Sequence, residues 1–247
     1  MAIISTKSVT LFYPVYNERE AITPMTLKAL EVMKTITEDF EILIIDDGSS
    51  DGSAEIADEL AQRDPRIRVI HHEGNKGYGQ ALRTGFSSAS KTIVAYTDCD
   101  EPVDLWELPQ ALANLRGHDM VIGYRVNRWD GWRRFIYSKI YNGMVRLLFG
   151  VKVHDINFSF KMMWRDDLSK FHLGAGSVFI DGELLAEAAR YQLNICELPI
   201  VYQDRKVGYS KFNALKPAID TFKEIIAYWH RRGVEAETDA AVVRERI

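Results

Sequence analysis

The chain has 247 residues, 47% apolar and 27% charged, enough to bury a sizeable core and too apolar for wholesale disorder. Its 31 Lys and Arg against 35 Asp and Glu leave a net charge of −4, which argues against a protein built to coat nucleic acid. Cys99 and Cys196, the only 2 cysteines, cannot make a disulfide scaffold and fit a reducing, cytoplasmic compartment.

The N-terminal residues show no signal-peptide pattern, and no apolar run reaches the roughly 18 residues that a bilayer span needs. Val9–Tyr13 reads as a buried strand and Glu18–Thr37 as a helix. Glu41–Ile45 is a second apolar run, and Asp51–Arg63 a helix with Asp51 as its N-cap. Ile67–His71, Thr92–Tyr96 and Asp119–Ile122 read as further strands, with helices over Gly77–Ala89 and Trp106–Leu115 between them. Short apolar runs alternating with helices predict βαβ units, right-handed crossovers and a mostly parallel sheet flanked by helices.

The later part is less regular. Trp132–Phe149 is strongly helical in pattern, Asn157–Trp164 reads as a strand, Asp181–Tyr191 as a helix, Ile195–Tyr202 as a strand and Leu215–Arg232 as a last helix. Residues 233–247 are polar and read as a loosely held tail. No linker divides the chain, so we expect one α/β domain over 1–232. Within Trp132–Phe149, Ser138, Lys139, Asn142 and Arg146 form a narrow polar stripe and apolar residues cover much of the rest. Such a helix lies at a membrane surface or in a core, and periodicity does not choose between them.

Ligands of open α/β sheets bind beyond the carboxyl ends of the strands. Polar clusters collect there: Pro14–Glu18, Asp46–Gly52, Asn75–Gly79, Thr97–Asp100 and Arg125. Asp98 and Asp100, one residue apart at a strand end, can share one hard cation such as Mg2+ or Mn2+, although Asp-x-Asp is also ordinary turn chemistry. Asp46 and Asp47 sit in a turn-forming DDGSSDG stretch, or accept hydrogen bonds from a ribose or base edge. Neither a Walker A loop nor a G-x-G-x-x-G turn occurs, which disfavours P-loop and dinucleotide enzymes.

In this order and spacing, FYPVYNERE, ILIIDDGSSDGS, NKGYGQALRTGF, YTDCDEP and IGYR resemble an inverting family 2 glycosyltransferase with a GT-A, Rossmann-like fold. HDINFSFK, FIDGEL, ELPI and RKVGYSK resemble its dolichyl-phosphate mannose synthase and polyprenyl-phosphate glycosyltransferase branch. The resemblance covers about residues 8–232, and implies a nucleotide-sugar half over 8–125 and an acceptor half over 126–232. It implies a metal-dependent transfer of a hexose, mannose or glucose above all, from GDP-mannose or a UDP-hexose to a polyprenyl phosphate at a membrane surface. Pro14, Tyr16, Glu18, Ile44 and Asp46 would then hold the nucleotide, and Asp98 and Asp100 the diphosphate through Mg2+ or Mn2+. Arg125, Arg205 and Lys211 would reach donor or acceptor phosphates, where a guanidinium fork suits phosphate oxygens.

A phosphate acceptor is already an anion and needs alignment; a hydroxyl acceptor needs a base, for which Asp155, Asp181 and Glu183 are the candidates. Bland alternatives stand beside these: Asp155 as a turn residue, Asp181 as a helix N-cap. The chain departs from the family where Pro102 replaces a common metal-side Gln after Glu101, and where Phe158-Ser159-Phe160-Lys161 replaces Ser-Gly-Phe-Arg. Three rival functions follow: transfer to a saccharide or natural-product hydroxyl, nucleotidyl transfer, and donor binding without catalysis.

Overall fold

The computed structural model describes residues 7–100, 103–126, 132–201 and 219–232, with the backbone alone at 132–135 and 137. Five strands and four helices alternate first: β1 (Val9–Val15), α1 (Ile22–Ile36), β2 (Phe40–Asp46), α2 (Ser53–Arg63), β3 (Ile67–His71), α3 (Tyr78–Ser88), β4 (Ile93–Thr97), α4 (Leu108–Leu115) and β5 (Met120–Arg125). Then come α5 (Trp132–Phe149), β6 (Phe160–Trp164), the single turn α6 (Arg165–Leu168), α7 (Ile180–Arg190), β7 (Ile195–Ile200) and α8 over 219–232.

The seven strands form one sheet in the order β3-β2-β1-β4-β6-β5-β7. All neighbours pair in parallel except β6, which runs antiparallel to both β4 and β5. This is the mostly parallel sheet flanked by helices that the alternation predicts. Chain direction reverses its lateral progress between β1 and β4, and a ligand crevice opens outside the carboxyl ends of strands at such a point.

Side-chain alternation explains why helices cover both faces. Leu11, Tyr13, Ile42 and Ile44 point into one buried cluster with α1, α2 and α4. Phe12, Leu43, Ile45 and Tyr96 point into the other with α3, α5, α7 and α8. On that second face Phe12, Phe86 and Tyr96 pack ring against ring at 5.0–5.5 Å. Gly85 makes room for them, since a Cβ there would lie 2.2 Å from the Phe12 ring.

Several element ends differ from the sequence expectation: β5 runs on to Arg125, β6 begins at Phe160 and α4 at Leu108, and three further ends have identifiable reasons. β1 runs two residues past Tyr13, through Pro14, because β4 pairs with it only as far as Phe12 and the missing N–H is not needed on that side. α1 starts at Ile22 rather than Glu18 because Asn17 is left-handed (φ 55°) and residues 17–19 bond across to the next loop. α2 is capped by Gly52 at φ 95°, not by Asp51; the Asp51 carboxylate still accepts the Ser53 N–H at 3.0 Å from one residue further out. Within the last expected helix, residues 215–218 lie outside the described residues, as do the 233–247 tail, Glu101 and Pro102.

Candidate active site

The crevice wall is built from loops stitched to one another by backbone N–H groups donating to side-chain oxygens. Asn17 Oδ1 accepts the Ser50 N–H (2.8 Å), Ser49 Oγ accepts the Asn17 N–H (2.9 Å) and Ser53 Oγ accepts the Glu18 N–H (3.0 Å). Pro14 and Glu18 are half-buried on this wall, and Tyr16 is 39% exposed. Ile44 lies beneath it, wholly inside the core.

Asp46 and Asp47 have different partners. Asp46 accepts the Ser49 N–H at 3.1 Å and meets His71 Nδ1 at 2.9 Å. Burial works against a charged His71, but its hydrogen bonds to Asp46 and Asp58 outweigh that, and its pKa is held above the ordinary imidazole value. Asp47 turns inward: its carboxylate accepts the Lys76 and Gly77 N–H groups at 2.8 and 2.9 Å and meets buried His72 at 2.7 Å. Gly48, at φ 73°, lets the turn pass Gly74, because a Cβ would come within 2.5 Å of the Gly74 backbone. The DDG sequence therefore fixes the loop that starts α3.

Asp98 and Asp100 emerge half-buried just beyond β4, at the reversal point. Tyr78, the first residue of α3, donates its hydroxyl to Asp98 Oδ1 at 3.3 Å. Burial first, then the charges on Asp98 and Asp181, push the Tyr78 hydroxyl well above the usual tyrosine range, so it stays a neutral donor. Two carboxylates suit Mg2+ or Mn2+, which takes one or two protein carboxylates, substrate phosphates and retained waters. No group of three His, Cys, Asp or Glu side chains converges among the described residues.

The three carboxylates considered as bases are all buried and engaged. Asp155 grips Arg125 through two hydrogen bonds, 2.7 Å to Nε and 3.2 Å to Nη2. Asp181 meets Lys161 Nζ at 2.5 Å and the Tyr96 hydroxyl. It occupies the second position of α7, whose N-cap is Phe179, so the capping alternative does not hold. Glu183 accepts the Gly174 and Ala175 N–H groups at 2.8 and 2.7 Å, and its other oxygen meets Arg231 Nη2 at 2.7 Å.

Arg205, Lys206 and Lys211 lie outside the described residues. Sequence reasoning missed the hydroxyl of Tyr78 and the burial of Lys161. For Tyr78 the signal was present: an aromatic hydroxyl directly after Gly77, where the loop beyond β3 enters α3.

Residues 10–171 match the family described as Glycosyl transferase family 2. The chain belongs to that family. It is 32% identical over 245 residues to the polyprenol monophosphomannose synthase of Mycolicibacterium smegmatis, covering 92% of this chain and 89% of the relative. It is 31% identical over 213 residues to the undecaprenyl-phosphate 4-deoxy-4-formamido-L-arabinose transferase of Edwardsiella ictaluri, covering 84% of this chain and 64% of that longer protein. The solved mannosyltransferase of Pyrobaculum calidifontis, in complex with GDP-Man and Mn2+, aligns with a TM-score of 0.60 at 18% identity over 92% of this chain and 70% of that one. That likeness carries the fold. The resemblance read from the motifs is thus borne out for the family, the GT-A fold and the enzyme class: this chain is a family 2 glycosyltransferase.

Proposed function

We propose that this family 2 glycosyltransferase moves a hexosyl group, mannosyl above all, from a nucleotide sugar to a polyprenyl phosphate, inverting the anomeric carbon. The observation that carries the acceptor class is the commitment of Asp155, Asp181 and Glu183 to Arg125, Lys161 and a pair of backbone amides with Arg231. A hydroxyl nucleophile needs a carboxylate free to take its proton. A phosphate monoester, whose second pKa is about 6, brings its own negative charge. The names of both curated relatives, one a polyprenol monophosphate mannose synthase and one an undecaprenyl-phosphate transferase, support the same class.

In this reading a phosphate oxygen of the acceptor attacks the anomeric carbon, the bond to the donor diphosphate breaks, and a nucleoside diphosphate leaves with the electron pair. Asp98 and Asp100 would hold Mg2+ or Mn2+, and that ion would neutralise charge developing on the leaving group. Asp155 fixes the Arg125 fork at the carboxyl end of β5, where it can meet a phosphate. Pro14, Tyr16, Glu18, Ile44 and Asp46 form or underlie the nucleotide wall. Arg205 and Lys211 are proposed to add phosphate contacts.

Lipid access follows from the outward faces of two helices. On α5 the expected polar stripe is split: Asn142 is buried against Ser138 and the Ile156 N–H, whereas Lys139 and Arg146 stay exposed, Arg146 bonding the Val153 carbonyl from the surface. Ile136, Ile140 and Leu147 face out beside those two cations, at exposures of 46%, 63% and 86%, with Ile219, Phe222 and Trp229 exposed on α8. Among the described residues no helix is long and apolar enough to cross a membrane. We therefore place the enzyme on the membrane surface, at the cytoplasmic face.

The test is nucleoside diphosphate release from GDP-mannose, UDP-glucose, UDP-galactose and UDP-N-acetylglucosamine, with Mn2+ or Mg2+, with and without a polyprenyl phosphate in detergent. Release that requires the lipid phosphate supports the proposal and names the sugar. Turnover that proceeds equally with a soluble hydroxyl acceptor overturns it.

A further inference from the structure

Four consecutive backbone N–H groups, at Gly174, Ala175, Gly176 and Ser177, donate to carboxylates of two helices. Glu183 of α7 takes the first two. Glu224 of α8 takes the others, at 2.9 Å through Oε1 and 3.2 Å through Oε2, and also the Ser177 hydroxyl at 2.5 Å. Arg231 of α8 binds the free oxygen of Glu183, so α8 holds this loop at both ends. The loop in turn sets the start of α3. The Gly176 carbonyl accepts the Gly79 N–H at 3.1 Å, and a Cβ on Gly79 would lie 2.4 Å from the Gly176 backbone, so the two segments touch with no slack. Tyr78, the neighbour of Gly79, is the residue that donates to Asp98.

We infer that Glu224 is a positioning residue for the donor and metal site: from the last described helix it fixes loop 174–177, which fixes the Tyr78 hydroxyl on Asp98. The inference rests on the donor-site reading above. It gives α8 a role that its distance in sequence from Asp98 hides, and it makes the orientation of the Asp98 carboxylate depend on how α8 is seated. A carboxylate is suited to this place because it accepts three hydrogen bonds at once, whereas an amide would present donors to N–H groups.

The test measures Mn2+-dependent binding of GDP and of UDP by calorimetry in the wild-type protein, Glu224→Gln, Tyr78→Phe and the double variant. Glu41→Gln is the control for general loosening, since Glu41 is buried at β2 with Thr10, Ser90 and Arg68 and plays no part in the site. Glu224→Gln is expected to weaken nucleotide binding roughly tenfold, the lower end for partners one step removed from a metal ligand. Tyr78→Phe is expected to do the same, and the double variant to be no worse than either single one. Ser177→Ala, a milder change that removes one bond to Glu224, should move binding the same way by less, and serves if Glu224→Gln does not fold. Additive effects, an equal loss in Glu41→Gln, or unchanged binding in both Glu224→Gln and Ser177→Ala would overturn the inference alone. Absence of Mn2+-dependent binding in the wild-type protein would overturn the donor-site reading and this inference with it.

Discussion

Lys161 Nζ lies 2.5 Å from Asp181 Oδ1, and the two side chains are 0% and 2% exposed. The ammonium also donates to the Phe158 carbonyl at 2.7 Å and to the Tyr96 hydroxyl at 2.9 Å, so each of its three protons has a partner. Burial first, then the Asp181 charge, pushes the Tyr96 hydroxyl well above the tyrosine range and keeps it neutral. A charge pair so enclosed holds only as a pair. Asp181→Asn or Lys161→Met should each cost about 3–5 kcal/mol in urea unfolding, because one charge is stranded. The double change Lys161→Met with Asp181→Leu should recover most of that loss. Single variants within about 1 kcal/mol of wild type would show that water reaches the pair.

Asp98→Asn and Asp100→Asn should leave the unfolding midpoint near wild type, since both carboxylates emerge half-buried beyond the strand rather than within it. Each should lower kcat/KM at least ~100-fold, equivalent to about 2.7 kcal/mol of transition-state stabilisation, and raise the Mn2+ needed for half-maximal rate. Loss of rate with no change in Mn2+ dependence would place the metal elsewhere.

How much of this was legible in the sequence depends on whether the deciding physics is local. The βα units were legible because each strand of the first half is a short apolar run and each helix an amphipathic one. The place of β6 was not. Nothing in FKMMW says that it inserts antiparallel between β4 and β5, because strand order is set by long-range packing. The place of Asp98 and Asp100 beyond β4 was legible, because they follow a short apolar run. Lys161 was not, because a lysine in a strand is ordinarily exposed and only the fold supplies Asp181, 20 residues on. The α5 stripe shows the same limit: periodicity groups Lys139, Asn142 and Arg146 as one polar stripe, but does not say that Asn142 is buried while Lys139 and Arg146 share the exposed side with Ile140 and Leu147.

His71 gives the protein a pH-dependent element of stability beside the proposed nucleotide wall. Its pKa is raised in the folded state, so the native protein holds the proton more tightly than the unfolded chain, whose imidazole titrates near about 6.5. The stabilisation is complete below that value and fades as pH rises through the higher folded pKa. The thermal midpoint of wild type should therefore fall relative to His71→Gln as pH increases from about 6 to 8. The effect is small because the imidazole is 38% exposed. A constant difference between the two proteins across this range would rule the titration out.

The outward faces of α5 and α8 make a prediction that separates membrane seating from chemistry. Ile140→Glu with Leu147→Glu changes two side chains that are 63% and 86% exposed, so folding should be unaffected to within about 0.5 kcal/mol. Cosedimentation with phosphatidylglycerol vesicles should drop several-fold, since two apolar contacts become charges at an anionic surface. Transfer to a short-chain polyprenyl phosphate in detergent should continue at the wild-type rate. Unchanged vesicle binding would move the lipid-facing surface off α5.

Asp155 decides between the two acceptor chemistries. Were it a general base, Asp155→Asn would lower kcat by about 10²–10⁴ and remove the acidic limb of the pH–rate profile. The structure instead pairs it with Arg125, 2.7 Å from Nε, with side chains only 8% and 9% exposed. Its replacement should therefore release the Arg125 fork and raise KM for the lipid phosphate more than it lowers kcat. The acidic limb should remain, set near pH 6 by the second ionisation of the acceptor phosphate, about 6 in a monoester. A limb that vanishes in Asp155→Asn would return Asp155 to the role of base, and with it a hydroxyl acceptor.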